Sequence, residues 1–217
     1  MPLTALLVMA KEPVAGRTKT RLTPPLTPEE AAELYACMLR DTVNAVREAA
    51  QVTAFTPFIA YYPEEARPFF RELAPDFQLV LQRGKSLAER LENVLTAVQA
   101  QGYDRVAAIN SDSPSLPPAY LVQAFEELDN PVNDAVFGPT EDGGYYLIGW
   151  KRPYSRLLRE VTMSTTHVLD DTLTIARQER IEVAVLPAWY DIDEAADLER
   201  LRADEDAGKH TTAFFSS

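Results

Sequence analysis

The sequence predicts a three-layer α/β/α fold on a mixed, mostly parallel sheet with one antiparallel hairpin. Three observations carry this. Strand and helix signals alternate from the start to about residue 150. Ala5–Met9 and the stretch from Val106 to Ile109 are apolar throughout, as buried central strands are. Asp134–Pro139 and Tyr145–Trp150 are separated only by Thr140-Glu141-Asp142-Gly143-Gly144, which reads as a hairpin turn. The expectation is one domain over residues 1–208 and a small, polar, frayed tail over 209–217.

The elements follow in order. After the first strand, Thr27-Pro28-Glu29-Glu30 opens a helix: Thr as N-cap, Pro at the first helical position, Glu closing a capping box. Leu34, Met38, Thr42 and Val46 make its stripe to about Ala50, with Tyr35, Leu39 and Val43 beside them. Val52–Tyr62 reads as a strand that Pro57 breaks or places at an edge. A short helix around Pro68 and a strand over Phe77–Gln82 come next. Ser86-Leu87-Ala88-Glu89 is a second capping box, and Leu87, Leu91, Val94, Leu95 and Val98 follow at helical spacing. Asp104–Asn110 is a strand, and Pro118–Leu128 a helix. Ser164 is the expected cap of a helix running to about Glu179. Ile181–Leu186 reads as a strand and Glu194–Ala207 as the last helix, for which Asp193 is the natural N-cap.

Composition narrows the function. The net charge is −12, which argues against nucleic acid as the main partner. No apolar run approaches the ~20 residues of a membrane span. The N-terminus lacks a basic region followed by a small-residue cleavage site, and the one cysteine, Cys37, fits a reducing cytoplasm. Two histidines make a His-rich zinc site a poor expectation.

Against this acidic background, residues 11–21 reverse the sign. Lys11, Arg17, Lys19 and Arg21 lie there with Glu12 as the one acid. Gly16 lets backbone approach an anion, and Lys and Arg supply charge, so a cluster behind a first strand suits phosphate. The spacing matches neither a P-loop nor a dinucleotide-binding fingerprint. Arg83-Gly84-Lys85, before a helix N-terminus, is a second turn suited to an anion. Asp112 stands just beyond the end of a buried strand, where open α/β sheets bind ligands. Pro117 and Pro118 start the next helix on their own, so Asp112 comes too early to cap it. Asp112 is therefore the first metal-ligand candidate. In the Asp142-Gly143-Gly144 turn the second glycine suits a substrate passing along the backbone. Asp191 and Asp193 share a side of the chain if that segment is extended.

Taken together, AKEPVAGRTKTRL, NSDSP, GPTEDGGYYLIG and YDIDEAADL resemble, in order and spacing, a bacterial family of GT-A-like transferases. Its members are often called glycosyltransferases, some linked to arsenosugar synthesis. They are related to molybdenum-cofactor nucleotidyltransferases and to 2-phospho-L-lactate guanylyltransferase. The resemblance spans residues 5–201 and implies the GT-A, nucleotide-diphospho-sugar transferase fold. It implies that the loop carrying Ala10, Lys11, Pro13, Gly16, Lys19, Thr20, Arg21 and Leu22 wraps a nucleotide. Asp112 corresponds to the family's metal-binding aspartate, and an Asp of the Asp191/Asp193 pair completes that site. Asp142, Gly143, Gly144 and Tyr145 face sugar or acceptor. The chain departs from the pattern at Asn110 for the usual glycine, at Lys85 and Ala88 in a G-D-L-G turn, and at Glu194-Ala195 for Thr-Pro.

The expected chemistry follows from charge. Asp112 with Asp193 or Asp191 would hold Mg2+ or Mn2+, hard cations that prefer carboxylate oxygen. Lys11, Arg17, Lys19, Arg21, Arg83 and the Gly84 turn would neutralise phosphates. Asp112 and Asp142 would serve catalysis, Asp142 as acceptor-orienting group or base. The substrates would be an NDP-sugar or an NTP with a small-molecule acceptor. The first reading is glycosyl transfer. The second is nucleotidyl transfer from an NTP to a phosphorylated acceptor, with pyrophosphate released. A non-catalytic nucleotide-binding module comes last.

Overall fold

The computed structural model describes residues 2–216; Met1 and Ser217, the ends of the expected domain and tail, lie outside the described residues. Seven strands form one sheet: β1 (Thr4–Lys11), β2 (Thr56–Tyr62), β3 (Gln78–Leu81), β4 (Arg105–Ile109), β5 (Ala135–Pro139), β6 (Tyr145–Trp150) and β7 (Val183–Val185). Their order is β3-β2-β1-β4-β6-β5-β7. β6 runs antiparallel to both β4 and β5, and every other neighbouring pair is parallel. The expected mostly parallel sheet with an antiparallel hairpin is therefore present.

Among the described residues eight α-helices accompany it: α1 (Pro28–Val52), α2 (Arg67–Leu73), α3 (Leu87–Gln99), α4 (Pro118–Asp129), α5 (Arg156–Arg159), α6 (Val168–Glu179), α7 (Asp197–Ala203) and α8 (Lys209–Phe214). Alternation along β1 divides the core into layers. Leu6, Val8 and Ala10 pack with Tyr35, Leu39 and Val43 of α1, Phe70 of α2 and Leu121 of α4. Ala5 and Leu7 pack on the other face with Leu91, Val94, Leu95 and Val98 of α3, Leu157 of α5 and Ile175 of α6. A third cluster joins Leu22, Leu34 and Met38 to Tyr190, Ile192, Leu198 and Leu201. It clamps the C-terminal segment over the basic loop.

The winding decides where a ligand can sit. From β1 the chain steps outward through α1 to β2 and through α2 to β3. It then returns through α3 to β4, on the other side of β1. The strand order thus reverses between β1 and β4, and a crevice opens at their carboxyl ends. Lys11 ends β1, and Asp112 follows β4 by three residues.

Local signals explain most boundaries. Thr27 caps α1 and the reciprocal Glu30 bond is present. Pro57 lies inside β2, beside Leu6 of β1, but β3 begins pairing only at Phe58. Its missing N–H therefore falls where β2 has no outer neighbour. Ser86 caps α3 as expected, but Glu89 reaches the N–H of Lys85 rather than of Ser86. Leu87 starts the expected stripe yet is exposed.

Three expectations are corrected. Ser164 does not cap a helix: it has φ 63, and α6 begins four residues later with His167 at the cap position. The last long helix starts at Asp197, not Glu194, because the Asp197 carboxylate accepts from the N–H groups of Asp193 and Glu194. That frees the Asp193 side chain. Finally, residues 209–214 are a helix rather than a frayed end. The buried Asp41 carboxylate of α1 accepts from His210 N–H, Thr211 N–H and the Thr211 hydroxyl at 2.7–3.0 Å. A Cβ on Gly208 would lie 2.5 Å from Asp41 Cγ, so a glycine precedes the docked helix. Replacing Asp41 with Ala leaves those donors unpaired and removes a charge-assisted anchor. The expected loss is about 3 kcal/mol in urea unfolding, with hydrogen-exchange protection lost first in α8.

Candidate functional site

A cleft of about 920 Å³ lies at the carboxyl ends of β1 and β4. Its walls come from the basic loop, the segment after β4, the β5–β6 turn, residues 163–168 and residues 191–197.

Backbone bonds bring these segments together. Ile192 N–H donates to the carbonyl of Asp112 at 2.9 Å, joining the loop after β4 to the C-terminal segment. Trp189 N–H donates to Pro139 and Glu141 N–H to Trp189, so the same segment extends the β5–β7 ladder outward. Arg200 of α7 pairs with Glu141 across the hairpin turn. Asp112 N–H is 3.4 Å from the Asn110 side-chain oxygen, a contact that the glycine usual at this position could not offer.

The centre of the site is Lys19. Its ammonium lies 2.5 Å from Asp112 Oδ1, 2.8 Å from Asp193 Oδ1 and 2.5 Å from the carbonyl oxygen of Ile192. The side chain is 6 % exposed. All three ammonium protons are thereby used. Burial alone would lower its pKa, but Asp112 first and Asp193 second hold it above the ordinary lysine value. Its backbone is left-handed, φ 51 and ψ 40, a conformation uncommon outside glycine.

A buried polar chain fixes the loop against β4. Lys11 N–H donates to the Tyr35 hydroxyl, and the Ser111 hydroxyl donates to the Met9 carbonyl. The remaining Tyr35–Ser111 contact, 2.7 Å, then has Tyr35 as donor. Burial, then the Asp112 charge, push the Tyr35 phenol up to about 12. It therefore stays a neutral donor. Thr18 pins the loop on itself: its hydroxyl donates to Glu12 O and accepts from Val14 N–H.

Six carboxylates border the cleft: Asp112, Asp142, Asp191, Asp193, Glu194 and Asp197. Burial first, then Asp193, Asp142 and Asp112, push the Asp191 carboxyl up to about 7, against the pull of Lys19. Asp142 Oδ1 accepts from the Thr140 hydroxyl at 2.5 Å and from Gly144 N–H at 3.0 Å. Among the described residues no three His, Cys, Asp or Glu side chains form a ready metal-binding group; the space between Asp112 and Asp193 is filled by the Lys19 ammonium.

The expected residues divide as follows. Ala10, Lys11, Arg17, Lys19, Arg21, Asp112, Asp142, Gly144, Tyr145, Asp191 and Asp193 all line the cleft. Asp193 is not a helix cap, since its carboxylate meets Lys19. Lys19 meets carboxylates where phosphate was expected. Arg21 lies 3.5 Å from Glu194, an exposed pair. Lys11 and Arg17 make no ion pair among the described residues.

Pro13, Gly16, Gly143, Arg83 and Gly84 are not among the lining residues. Gly16 has φ 71 and open space around it, so it shapes the turn rather than approaching a ligand. Gly143 is required by packing: a Cβ there would lie 2.0 Å from the Thr166 carbonyl oxygen. A Cβ at Gly144 would lie 2.9 Å from the Thr140 hydroxyl, so crowding within the turn accounts for the second glycine. The Arg83-Gly84-Lys85 turn already holds a local anion. The Glu89 carboxylate already takes the Lys85 N–H, and a Cβ on Gly84 would meet Glu89 Cβ at 2.8 Å. From this end of α3 it is Arg90, one turn into the helix, that lines the cleft.

Sequence reasoning missed Tyr35, Gln82, Arg90 and residues 163–166. Gln82 donates to Ala10 and Ala60 carbonyls, tying the ends of β1 and β2. A polar side chain just past a strand end was the available signal, the same one that marks Asp112.

The fold is that of nucleotide-diphospho-sugar transferase structures. A protein of Desulfovibrio desulfuricans G20, carried under that name provisionally, is 27 % identical, with 100 % of this chain and 95 % of that one aligned at a TM-score of 0.88. Residues 43–165 match the family described as uncharacterized protein conserved in bacteria (DUF2064), and the chain belongs to that family. Among curated proteins none matches. Two more distant structures share the fold. A CMP:2-keto-3-deoxy-manno-octonic acid synthetase solved with CTP is 13 % identical, with 93 % and 97 % of the two chains covered and a TM-score of 0.59. Rv0371C of Mycobacterium tuberculosis H37Rv, solved with manganese, is 18 % identical, with 94 % and 99 % covered and a TM-score of 0.58.

The Asp191 shift has a defined sign. Its folded pKa, about 7, lies above the ordinary carboxyl value of about 3.9. The folded state thus holds a proton that the unfolded state has lost, and stability falls as pH rises between about 4 and 7. In Asp191→Asn the melting temperature should flatten across that window. The variant should gain most over the parent at pH 7 and least at pH 4.

Proposed function

We propose that the chain is a nucleotide-using transferase that takes a sugar from a nucleoside diphosphate sugar and passes it to a small acceptor. The observation that carries this is the cleft at the β1–β4 switch point, where Lys11 and Arg17 are left without carboxylate partners. An exposed pair of cations with no internal partner is available to a diphosphate.

Counting charge favours this donor. Four basic residues in the loop seemed enough for a triphosphate. Lys19 is bonded inside the protein and Arg21 sits beside Glu194. While Lys19 stays on its carboxylates, two are left without a carboxylate partner, a number suited to a diphosphate. The resemblance to glycosyltransferases linked to arsenosugar synthesis and the provisional name of the 27 % identical structure point the same way.

The donor set fits a divalent cation in kind. Asp112 and Asp193 are hard oxygen ligands, with side chains 32 % and 48 % exposed, and six carboxylates line the cleft. Asp112 and Asp193 would hold Mg2+ or Mn2+, with Asp191 beside them. When bound, the metal would offset diphosphate charge and ease departure of the nucleoside diphosphate. Lys11 and Arg17 bind the phosphate oxygens. Tyr35 and Thr18 keep the loop in place. Asp142, fixed by Thr140 and Gly144, orients the acceptor hydroxyl and takes its proton. Tyr145, Met163 and Thr165 make the acceptor wall. We take the chain to act as one domain, and its lone thiol to place the reaction in a reducing cytoplasm. Among the described residues no helix is long and apolar enough to cross a membrane.

Nucleotidyl transfer is the second reading, favoured by the shared fold of the synthetase solved with CTP. The two separate by product. With mixed NTPs, NDP-sugars and Mn2+, free nucleoside diphosphate is the expected release; pyrophosphate would instead establish the second reading. Asp112→Ala should weaken nucleotide binding in Mn2+ by at least about tenfold, or ~1.4 kcal/mol, in calorimetric titration. Unchanged affinity would remove Asp112 from the site. Lys11→Ala combined with Arg17→Ala should weaken nucleotide binding with and without the metal.

A further inference from the structure

Lys19 is the one basic residue of the loop whose ammonium is enclosed. With its protons on Asp112, Asp193 and the Ile192 carbonyl, it has no donor left for a phosphate. It also fills the space between the two carboxylates, at 2.5 and 2.8 Å from their oxygens. A second cation cannot enter between those oxygens while the ammonium remains.

We propose that Lys19 is a tethered counter-cation, which holds Asp112 and Asp193 together until a divalent cation displaces it and then turns its ammonium to the diphosphate. This rests on the reading that those two carboxylates take the metal.

Three features suit the role. A divalent ion brings twice the charge to the same oxygens, so it can displace a single ammonium despite its own hydration. Both carboxylates are partly exposed to the cleft, which gives the incoming ion a path. The lysine sits in a loop beside other cleft residues, on a flexible four-carbon stem. Its release moves a positive charge a few bonds, from carboxylates to the space where Lys11 and Arg17 already face the cleft.

The consequence is a coupling between metal and diphosphate. The metal alone must displace the lysine, so it binds weakly. Diphosphate then gains a third cation, so each ligand strengthens the other by the same factor.

The test measures Mn2+ binding itself, by paramagnetic resonance of the free ion, in the parent and in Lys19→Met. The methionine keeps the stem's bulk and removes the charge. The variant should bind Mn2+ at least about tenfold more tightly without nucleotide, the lower range of coupling between close charge pairs. It should melt lower than the parent without metal, since two carboxylates lose their counter-ion, and recover on adding Mg2+. Should the variant not fold, the parent decides alone. The side-chain ammonium resonance of Lys19 should be protected from solvent exchange without metal and lose that protection at saturating Mg2+. Equal or weaker Mn2+ binding in Lys19→Met, or an ammonium resonance indifferent to Mg2+, overturns the proposal while leaving the carboxylate site intact. No Mn2+ binding by either protein overturns the metal reading together with it.

Discussion

The carboxylate–ammonium–carboxylate bridge at Lys19 ties together three stretches of chain that are far apart in sequence. Lys19 is in the loop after β1, Asp112 follows β4, and Asp193 precedes α7. Each would be costly to bury alone. A buried ammonium loses its hydration, and two carboxylates brought within reach of one another repel. Together they satisfy one another, and the Ile192 carbonyl takes the last proton. The arrangement explains why the C-terminal segment folds back over the sheet instead of ending at β7. It also explains why the Asp193 side chain does not cap α7, which begins at Asp197 without a side-chain cap.

The surroundings of the bridge rest on ordinary packing. Leu22, Leu34 and Met38 hold the loop's end and α1 against Ile192, Leu198 and Leu201. Tyr35 contributes twice: its ring packs into the main core, and its hydroxyl links Lys11 to Ser111. One helix thereby sets the position of both the basic loop and the strand end that carries Asp112. The cleft is consequently a product of the sheet's winding and of α1, and its charged residues sit on segments pinned by backbone bonds. Such pinning matters for any group-transfer chemistry, where misplacement of about 1 Å is expensive.

Most of the fold was legible because its signals are local. The α1 capping box, the α3 stripe and the apolar β1 and β4 each declare themselves within a dozen residues. The three-layer sheet follows from their alternation. Boundaries failed where a distant partner decided them. The 209–214 segment is polar and short, and only Asp41, far back in α1, makes it a helix. Ser164 looks like a cap, but the hairpin turn packs its Gly143 against Thr166 and accepts from Leu169 N–H through the Gly143 carbonyl. For the site, Asp112 was readable from its place after a strand. Arg83 and Gly84 do not line the cleft, and beside them the Glu89 carboxylate takes the Lys85 N–H. Lys19 was identified as important but given the wrong partner. Nothing in a one-dimensional spacing tells whether a lysine in a basic loop meets phosphate or an aspartate some ninety residues away.

That misassignment bears on the donor. A loop with four free cations would create a potential strong enough to favour triphosphates without discrimination. With Lys19 withdrawn to Asp112 and Asp193, and Arg21 beside Glu194, the exposed charge facing the cleft drops to Lys11 and Arg17, with Arg90 on the opposite wall. The six cleft carboxylates then outweigh the free cations. An anionic substrate arriving without a metal meets net repulsion, and one arriving with a metal meets ligands. On the proposed function, this charge distribution would favour a metal-bound diphosphate over a bare one.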